Sequence, residues 1–353
     1  MHGHQQHHLY GEMTVSLAEL FFSDLIILPD GSARLKGCPE SGQQLIPVPP
    51  DCADEVKELP KKLIDAVLAR RQTDPATGLR VEPRTIRYSH NGVYYRVAEI
   101  QDVDAGQTWF MRRLPSEVPQ LSKLGLPPYL SEWLLLAEQR QGLVLVAGAQ
   151  ASGKTTTASA LVASRLQQHG GHAVTFENPA ELPLGGSWGE HGHCFQTEIQ
   201  GEHELPMQIE RAHLYASPNV IFIGEIHTKF AALEALRVAL GSRQQLVVAT
   251  IHGFDVLAAL ERLINWAQEL DGANACENLA NSLLAILLQD LESEPKWQKC
   301  PQYLLLPFTA SNPENAMRVK GIRAKLRERQ LQSLGDDMRD LRNRIADHGL
   351  KAI

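Results

Sequence analysis

The sequence predicts an α/β fold with a parallel sheet from residue 129 onward. Three observations indicate this fold: continuous apolar runs of strand length, helical stretches between these runs, and a glycine-rich turn between the first run and the first helix. The predicted strands are 143–147, 172–176, 194–199, 220–223 and 246–251. The helical stretches between them are 154–168, 204–216, 230–241 and 255–268. Apolar strands that alternate with helices are typical of a sheet covered by helices on both faces.

Residues 14–113 predict a smaller α+β domain. The stretch "SDLIILPDGSARLKG" indicates a hairpin that turns at Pro-Asp-Gly, and "RTIRYSH" with "GVYYRVAEI" indicates a second hairpin around an Asn-Gly pair. "QTWFMRR" predicts a further strand. Residues 53–71 carry apolar side chains at helical spacing. We expect Pro60 to start this helix, because proline fits a first turn and disrupts a helix interior.

The remaining segments complete the predicted domain organisation. Residues 1–13 contain four histidines and predict a flexible polar tail rather than a metal site. Residues 114–128 contain four prolines, a density that neither a helix nor a central strand tolerates, and predict a semi-rigid linker. The α/β domain then occupies residues 129–353. Its part after residue 276 is expected to be mostly helical, except for the apolar "YLLLPF" at 303–308.

The composition excludes several classes of protein. A chain of 353 residues, with 43% hydrophobic and 21% charged residues, is long and apolar enough for two globular domains. A net charge of −7 gives no general attraction to nucleic acid or to an anionic membrane surface. The five cysteines are scattered without a Cys-x-x-Cys pair, which argues against a disulfide framework or a zinc ribbon. Neither a membrane span nor a signal peptide is expected, and the predicted location is the cytoplasm.

The stretch "GAQASGKTTT" at residues 148–157 has the pattern of a phosphate-binding loop. A strand enters it, its glycines let backbone N–H groups turn inward, and a helix N-terminus follows. We expect Lys154 to reach the β- and γ-phosphates of ATP and the Thr155 hydroxyl to hold Mg²⁺. The predicted nucleotide-binding residues are Gly148, Ala149, Gln150, Ala151, Ser152, Gly153, Lys154, Thr155 and Thr156.

Two acidic motifs and a histidine follow other strands of the same predicted sheet. "NVIFIGEIH" contains Glu225, which a parallel sheet would bring to the phosphate side of the domain. "TFENPAEL" carries Glu177 and Glu181 on one short turn, where a carboxylate could accept a proton from an attacking water. "VVATIHG" brings His252 to the same edge. The alternative is that each is a solvated carboxylate or a hydrogen-bonded structural histidine at a strand end.

In this order, the motifs resemble those of the secretion and pilus ATPase superfamily, in particular its PilT-like retraction motors and its DotB/TraJ-type ATPases. The resemblance runs from "SDLIIL" near the start of the chain to "GIRAKLRER" near its end. It implies a RecA-like P-loop domain preceded by a smaller, PAS-like α+β domain. It also implies that ATP and Mg²⁺ are the cofactors, that six copies form a ring, and that an inner-membrane platform protein is the partner.

The resemblance also implies roles for individual residues. "ENPAE" is similar to the family's acidic box, which implies that Glu181 is the catalytic base. "GEIHT" is similar to its Walker B motif, which assigns Glu225 to catalysis and to Mg²⁺, and "TIH" resembles its histidine box, which points to His252. "YYRV" and "FMRRLP" resemble the arginine strands that complete the family's ATP site, often across a subunit boundary. They imply that role for Arg96 and Arg112, although the residues alone favour surface arginines.

The chain also departs from the family pattern at several positions, including "SRQQ" where the family often has Gly-His before the last strand. Ala151 replaces a glycine of the P-loop, and Asn178 replaces the aspartate of the acidic box. His227 and Thr228 replace the Arg-Asp pair of Walker B, and Tyr215 stands where a second helix arginine is usual. The changes at Asn178, His227, Thr228 and Tyr215 each remove a charge. We therefore expect slow hydrolysis of ATP.

The predicted function is a hexameric cytoplasmic ATPase that powers a type IV pilus of the retraction type, or a type IV secretion or conjugation machine. The alternative is a regulatory or scaffold subunit of the same machinery, which binds ATP and hydrolyses it weakly or not at all. A third hypothesis is a motor that moves along nucleic acid. The net negative charge of the chain and the lack of a basic, aromatic binding face disfavour it. The loop "GEHGHC" could bind zinc, but its irregular spacing favours an ordinary loop.

Overall fold

The computed structural model describes most of the chain, in two units. The described residues are 15–39, 41–73, 80, 81, 83, 85–103, 106–199, 201–291 and 298–353. Contacts between residues divide the chain into a first unit, residues 1–116, and a second unit, residues 117–353. The predicted flexible tail, residues 1–13, lies outside the described residues.

The first unit combines an antiparallel sheet with one long helix. Its strands are β1 (Asp24–Ile27), β2 (Ala33–Lys36), β3 (Ile46–Pro47), β4 (Gln72–Thr73), β5 (Arg80–Val81), β6 (Ile86–His90), β7 (Val93–Gln101) and β8 (Gln107–Arg113), and its helix is α1 (Ala53–Ala69). In the part that the structure describes, six strands form a sheet in the order β3-β2-β1-β8-β7-β6, and β4 pairs with β5. Both predicted hairpins are confirmed, as β1–β2 and β6–β7, and so is the strand β8.

Helix α1 covers one face of the antiparallel sheet. Leu59 and Leu63 of the helix are fully buried in the same apolar cluster as Leu25, Val97 and Met111 of the strands. Successive side chains of a strand point to opposite faces. The charged residues next to these strand positions therefore lie on the face that α1 does not cover.

The second unit is a sheet with helices on both faces. Its strands are β9 (Gly142–Gly148), β10 (Gly171–Phe176), β11 (Gly186–Trp188), β12 (Gly192–Phe195), β13 (Val220–Ile226), β14 (Leu246–His252), β15 (Leu283–Leu291), β16 (Gln298–Lys299) and β17 (Tyr303–Leu305). Its helices are α2 (Pro128–Leu135), α3 (Lys154–His169), α4 (Leu205–Arg211), α5 (Lys229–Leu240), α6 (Val256–Asp271), α7 (Asn274–Ser282), α8 (Pro313–Arg327) and α9 (Leu334–His348). A π-helix, Ala212–Ala216, continues α4.

The strand order of this sheet, within the described residues, is β11-β12-β10-β13-β14-β9-β15-β16, with β17 also paired to β15. The run from β12 to β15 in this order is parallel. One apolar cluster packs α5, α6 and α7 on one face, and a second packs α2 and α3 on the other. The predicted α/β class with a parallel sheet is therefore confirmed. The carboxyl ends of the parallel strands meet at one edge of the sheet.

The expectation of a mostly helical segment after residue 276 is wrong for β15. The run Leu283–Leu288 is buried, and it pairs with β9 on one side and β17 on the other. A wholly apolar run has no period that separates a helix from a buried strand. The sequence pattern therefore could not identify β15, although this strand lies directly beside the strand that enters the phosphate-binding loop.

The predicted linker, residues 114–128, is partly packed against the second unit. Leu121 and Leu126 are buried in the cluster that contains α2 and α3, and Leu121–Lys123 forms a short 3₁₀ helix. The role of this segment as a linker stays a prediction. Among the residues that the structure describes, no helix is long and apolar enough to cross a membrane.

The predicted start of α1 at Pro60 is wrong. The helix begins at Ala53, and Pro60 lies in its interior. Val56, Leu59 and Leu63 form a buried stripe that continues past the proline. Burial of this apolar stripe stabilises the helix by more than the missing backbone hydrogen bond destabilises it.

We expect Pro60→Ala to raise the free energy of unfolding by about 1–3 kcal/mol, because the N–H of residue 60 can then bond to the Val56 carbonyl. Denaturant unfolding of the full chain, followed by circular dichroism, measures the change. Pro50→Ala is the control, since Pro50 lies in the first turn of a 3₁₀ helix and its ring replaces no helical bond. A less stable Pro60→Ala protein would contradict this account and show that packing of α1 needs the proline.

Candidate nucleotide-binding site

The phosphate-binding loop lies between a strand and a helix. β9 ends at Gly148, and α3 begins at Lys154. Ala151 and Gly153 have left-handed φ angles of 61° and 88°, and Gly153 is the N-cap of α3. The first N–H groups of a helix have no intrahelical partner and favour an anion. The loop is therefore suited to hold phosphate groups.

Two further features of the loop fit a phosphate. A β-carbon on Gly148 would lie 2.5 Å from the Gln289 carbonyl oxygen and 2.5 Å from Ser152 Oγ, so only glycine fits at this end of β9. The Ser152 hydroxyl is buried, and within the described residues it has no hydrogen-bond partner. A buried hydroxyl without a partner is destabilising, and a phosphate oxygen would supply the missing bond.

Lys154 is almost fully buried at the start of α3. Its exposed fraction is 7%, and Nζ donates a hydrogen bond to the Ala149 carbonyl oxygen at 2.8 Å. Burial lowers the pKa of the ammonium group from its ordinary value, and the negative charges of Glu225 and Glu181 act in the opposite direction. Both carboxylates therefore lie within electrostatic reach of the lysine. Their catalytic roles stay predictions.

A β-bulge sets the position of Glu225. The register between β13 and β14 shifts between Ile223 and Ile226. The carbonyl oxygen of Gly224, inside the bulge, accepts a hydrogen bond from the buried Thr250 hydroxyl at 2.5 Å. Bulges of this kind change the direction of a side chain at a sheet edge. Thr250 therefore holds the backbone turn from which Glu225 projects.

His252 lies beside both the loop and the Walker B-like strand. In the pairing of β14 with β9, His252 is directly opposite Gly148. Its Nε2 lies 3.2 Å from Glu225 Oε1, and about one third of each side chain is exposed. The structure thus brings the side chains of the predicted histidine and the predicted metal carboxylate into direct contact. Contact of His252 with a γ-phosphate stays a prediction.

The two carboxylates of the acidic turn have different environments. Glu177 is 2% exposed, and its Oε1 accepts hydrogen bonds from Thr175 Oγ1 at 2.8 Å and from Gln196 Nε2 at 2.9 Å. These bonds fix the end of β10 against the neighbouring chain segment. Glu181 is half-buried and lies close enough to Lys154 to influence its charge. Its role as the catalytic base stays a prediction.

The residues present also fit a magnesium ion. Thr155 is half-buried in the first turn of α3, and Glu225 supplies a carboxylate at the same sheet edge. In the described part of the chain, no group of three or more His, Cys, Asp or Glu side chains forms a metal cage. Mg²⁺ in nucleotide enzymes is held by one or two protein ligands together with phosphates and water. Thr155 and Glu225 are the residues that would hold it here.

Arg96 and Arg112 lie side by side on the sheet of the first unit. Arg96 of β7 is directly opposite Arg112 of β8, and Arg87 of β6 is directly opposite Arg96. We call Arg87, Arg96 and Arg112 the arginine row. On its other side, Arg112 pairs with Asp24 of β1, whose Oδ1 lies 2.9 Å from Arg112 Nε. Contact of the row with a nucleotide stays a prediction.

The structure shows why the chain tolerates two of its departures from the family pattern, at Thr228 and Tyr215. Thr228 is the N-cap of α5, and its hydroxyl accepts a hydrogen bond from the Ala231 N–H at 3.3 Å. Threonine and aspartate both cap helices well, so this replacement keeps the cap and removes only the charge. Tyr215 lies in the π-helix with 85% of its surface exposed. Neither change disturbs the packing of the second unit.

The structure adds polar residues that the sequence motifs did not reveal. Gln289 is 2% exposed and lies directly opposite Gly148, at the carboxyl end of β15. Its Oε1 accepts a hydrogen bond from the Thr157 hydroxyl at 2.9 Å, which joins β15 to the first turns of α3. The sequence did contain a signal for Gln289, because this polar residue directly follows the apolar run "LLAILL". The signal is informative only if that run is recognised as a strand.

Comparison with known proteins identifies the family of this chain. A family model described as type II/IV secretion system protein matches residues 84–330. The uncharacterized protein YggR of Escherichia coli K12 is 36% identical over 203 residues, which cover 56% of this chain and 58% of YggR. The type IV pilus ATPase PilU of Pseudomonas aeruginosa is 29% identical over 187 residues, which cover 52% of this chain and 46% of PilU. The chain thus spans about half the length of these curated relatives.

Solved structures show the same fold. The ATPase DotB of Legionella pneumophila matches with a TM-score of 0.63 and 17% identity, over 88% of this chain and 83% of DotB. The pilus retraction motor PilT with bound ADP matches with a TM-score of 0.63 and 22% identity, over 91% of this chain and 86% of PilT. These matches confirm a RecA-like P-loop domain with a smaller N-terminal domain.

We expect Ala151→Gly to raise the free energy of unfolding by about 1 kcal/mol, because glycine adopts the left-handed φ of this position without a clash of the β-carbon. Thermal or denaturant unfolding of the nucleotide-free chain measures the change. Ala149→Gly is the matched control, since it makes the same substitution where φ is not left-handed. It should lower stability by about 0.5–1 kcal/mol. Equal effects of the two variants would contradict the strain at Ala151.

We expect Thr157→Val and Gln289→Leu to be coupled by about 0.5–1.5 kcal/mol in a double-mutant cycle, because they remove the two ends of one buried hydrogen bond. Denaturant unfolding of the single and double variants measures the coupling. A second cycle pairs Thr157→Val with Gln245→Leu, a buried glutamine that bonds to His213 and Pro218 instead. Strictly additive effects in the first cycle would show that the Thr157–Gln289 bond does not stabilise the loop.

Proposed function

We propose that this chain, which belongs to the type II/IV secretion system protein family, hydrolyses ATP to power a type IV pilus or a type IV secretion machine. One observation carries the proposal: Lys154, Glu181 and Glu225 converge at one edge of one parallel sheet, beside a loop that fits phosphate. The names of PilU and PilT, a pilus ATPase and a pilus retraction motor, support the pilus as the machine.

The loop binds and orients ATP in this proposal. The N–H groups at the start of α3 and the Lys154 ammonium group bind the β- and γ-phosphates, and the Ser152 hydroxyl donates to a phosphate oxygen. Thr155 and Glu225 hold Mg²⁺, which neutralises charge on the phosphates when bound. Burial of Lys154 strengthens its attraction to phosphate, because the surrounding dielectric is low.

Glu181 acts as the catalytic base in this proposal. It accepts a proton from the water whose oxygen attacks the γ-phosphorus, while the bond from that phosphorus to the bridging oxygen of ADP breaks. His252 holds the Glu225 carboxylate through its 3.2 Å contact, so that Glu225 stays directed to the metal rather than to Lys154. Arg96 and Arg112 stabilise charge on the transferring phosphoryl group, as the resemblance to the family implies.

The working form that we propose is a ring of six identical copies. Each copy supplies its arginines to a neighbouring site, at the cytoplasmic face of the inner membrane, where the ring works on a platform protein of the pilus or secretion system. The family resemblance supports this assembly. Hydrolysis then becomes mechanical work through rigid-body movement of the domains.

A second candidate function is a regulatory or scaffold subunit that binds ATP without efficient turnover. Ala151 favours it, because the strained left-handed residue lies in the loop that must hold the phosphates. The uncharged side chains at Asn178, Thr228 and Tyr215 favour it as well, since the family has charged residues at these positions.

We expect Glu181→Gln to lower the rate of phosphate release by about 100-fold or more, because the amide cannot accept the proton of the attacking water. Purified wild-type and variant chains with saturating Mg-ATP are compared by a phosphate-release assay, and ATP affinity is measured in parallel. ATP affinity should be retained, since the loop is unchanged. Glu190→Gln, a surface carboxylate in the same unit, is the control.

The assay also separates the two candidate functions. Phosphate release by the wild type that Glu181→Gln abolishes and Glu190→Gln does not supports the motor. Tight ATP binding by a wild type that releases no phosphate supports the regulatory subunit instead. Equal turnover of wild type and Glu181→Gln would remove Glu181 from the mechanism.

A further inference from the structure

A cationic cavity lies at the edge of the sheet opposite the phosphate-binding loop. Its volume is about 250 Å³, and its walls are the last turn of α3, the turn between α2 and β9, and the starts of β10 and β13. Three of its lining residues, Arg140, Arg165 and His169, have cationic or titratable nitrogen groups. Among the described residues that line it, none is acidic. We call this opening the far-edge cavity.

Arg165 is a buried cation without a carboxylate partner. It is 6% exposed, and Nη1 donates hydrogen bonds to the carbonyl oxygens of Leu134 at 2.7 Å and Leu136 at 3.3 Å. Within the described part of the chain, the guanidinium group forms no ion pair. Burial lowers its pKa to about 10, and no acidic group opposes this shift. Buried arginines are normally paired with an anion, so the remaining N–H groups of Arg165 lack a counter-charge.

Two other nitrogen-containing side chains line the same cavity. Arg140 is exposed on the turn before β9, and His169 lies in the last turn of α3 with Nε2 2.7 Å from the Leu135 carbonyl oxygen. A second cavity, of about 430 Å³, shares Asn219 and Gln244 with the first and is lined by Arg243. None of the described residues that line this second cavity is acidic. The described residues that line the two cavities therefore include three arginines and no carboxylate.

We propose that the far-edge cavity is a binding site for a phosphate group, held by Arg140 and Arg165 and separate from the nucleotide site. A guanidinium group offers a planar pair of N–H donors that matches two oxygens of a phosphate, and charge-assisted bonds of this kind are strong. Lys154 and Arg165 lie on the same helix, 11 residues apart in the sequence, which corresponds to about 16 Å along the helix axis. One phosphate therefore cannot occupy both sites.

The experiment measures phosphate binding with the nucleotide loop disabled. Inorganic phosphate is titrated by calorimetry into the full chain with Lys154→Ala, at constant ionic strength set with chloride. Saturable binding is expected to persist in this background. Adding Arg140→Gln or Arg165→Gln should then weaken it by about tenfold or more, because each removes a charge-assisted bond. Arg339→Gln is the matched control, since it removes the same charge from an exposed residue of α9 that lines neither cavity.

A second titration with adenosine monophosphate distinguishes the sources of the phosphate. Tighter binding of the nucleotide than of the free ion assigns the site to a nucleotide phosphate, and the reverse order assigns it to inorganic phosphate. Loss of all saturable binding with Lys154→Ala alone would overturn the proposal, because the loop would then be the site. An equal effect of Arg339→Gln and Arg140→Gln would also overturn it, since only net charge would matter. If Arg165→Gln does not fold, Arg140→Gln decides the result by itself.

Discussion

The register of β9 between its two neighbours is the constraint on which the candidate site depends. Gly148, the last residue of β9, is directly opposite His252 of β14 and Gln289 of β15. A shift of one residue would turn every side chain of β9 to the other face, and it would move the entrance of the loop away from both neighbours. Apolar clusters bury β9 from both faces. Packing of the core therefore fixes the origin of the loop before any ligand binds.

The charged residues of the site are supported by neutral polar side chains. Thr250 bonds to the Gly224 carbonyl and holds the bulge that directs Glu225, while Gln196 bonds to Glu177 and holds the acidic turn. A β-carbon on Gly224 would lie 3.2 Å from Glu177 Cγ, a tighter contact than usual, so glycine at this residue eases the close approach of the two strand ends. Uncharged supports fix the geometry without competing with Lys154 for the carboxylates or with the carboxylates for a cation.

The sequence predicted the parts of the structure that follow from a clear period or a local motif. Strand–loop–helix context located Lys154, and strand ends located Glu225, because both signals need only a few adjacent residues. Pro60 was misplaced, since burial of an apolar stripe outweighed the local preference of proline. The strand β15 was missed because an apolar run has no period, and Gln289 was missed with it. Contacts such as Thr250 with Gly224 join residues far apart in the chain, which no local pattern encodes.

The arginine row affects the stability of the antiparallel sheet in the first unit. Three guanidinium groups occupy adjacent strands of one sheet face, where like charges directly opposite each other repel. Asp24 offsets the charge of Arg112 at the β1 side of the row. Repulsion between neighbouring guanidinium groups opposes the pairing of the strands that carry them, and dissolved salt weakens this repulsion by screening.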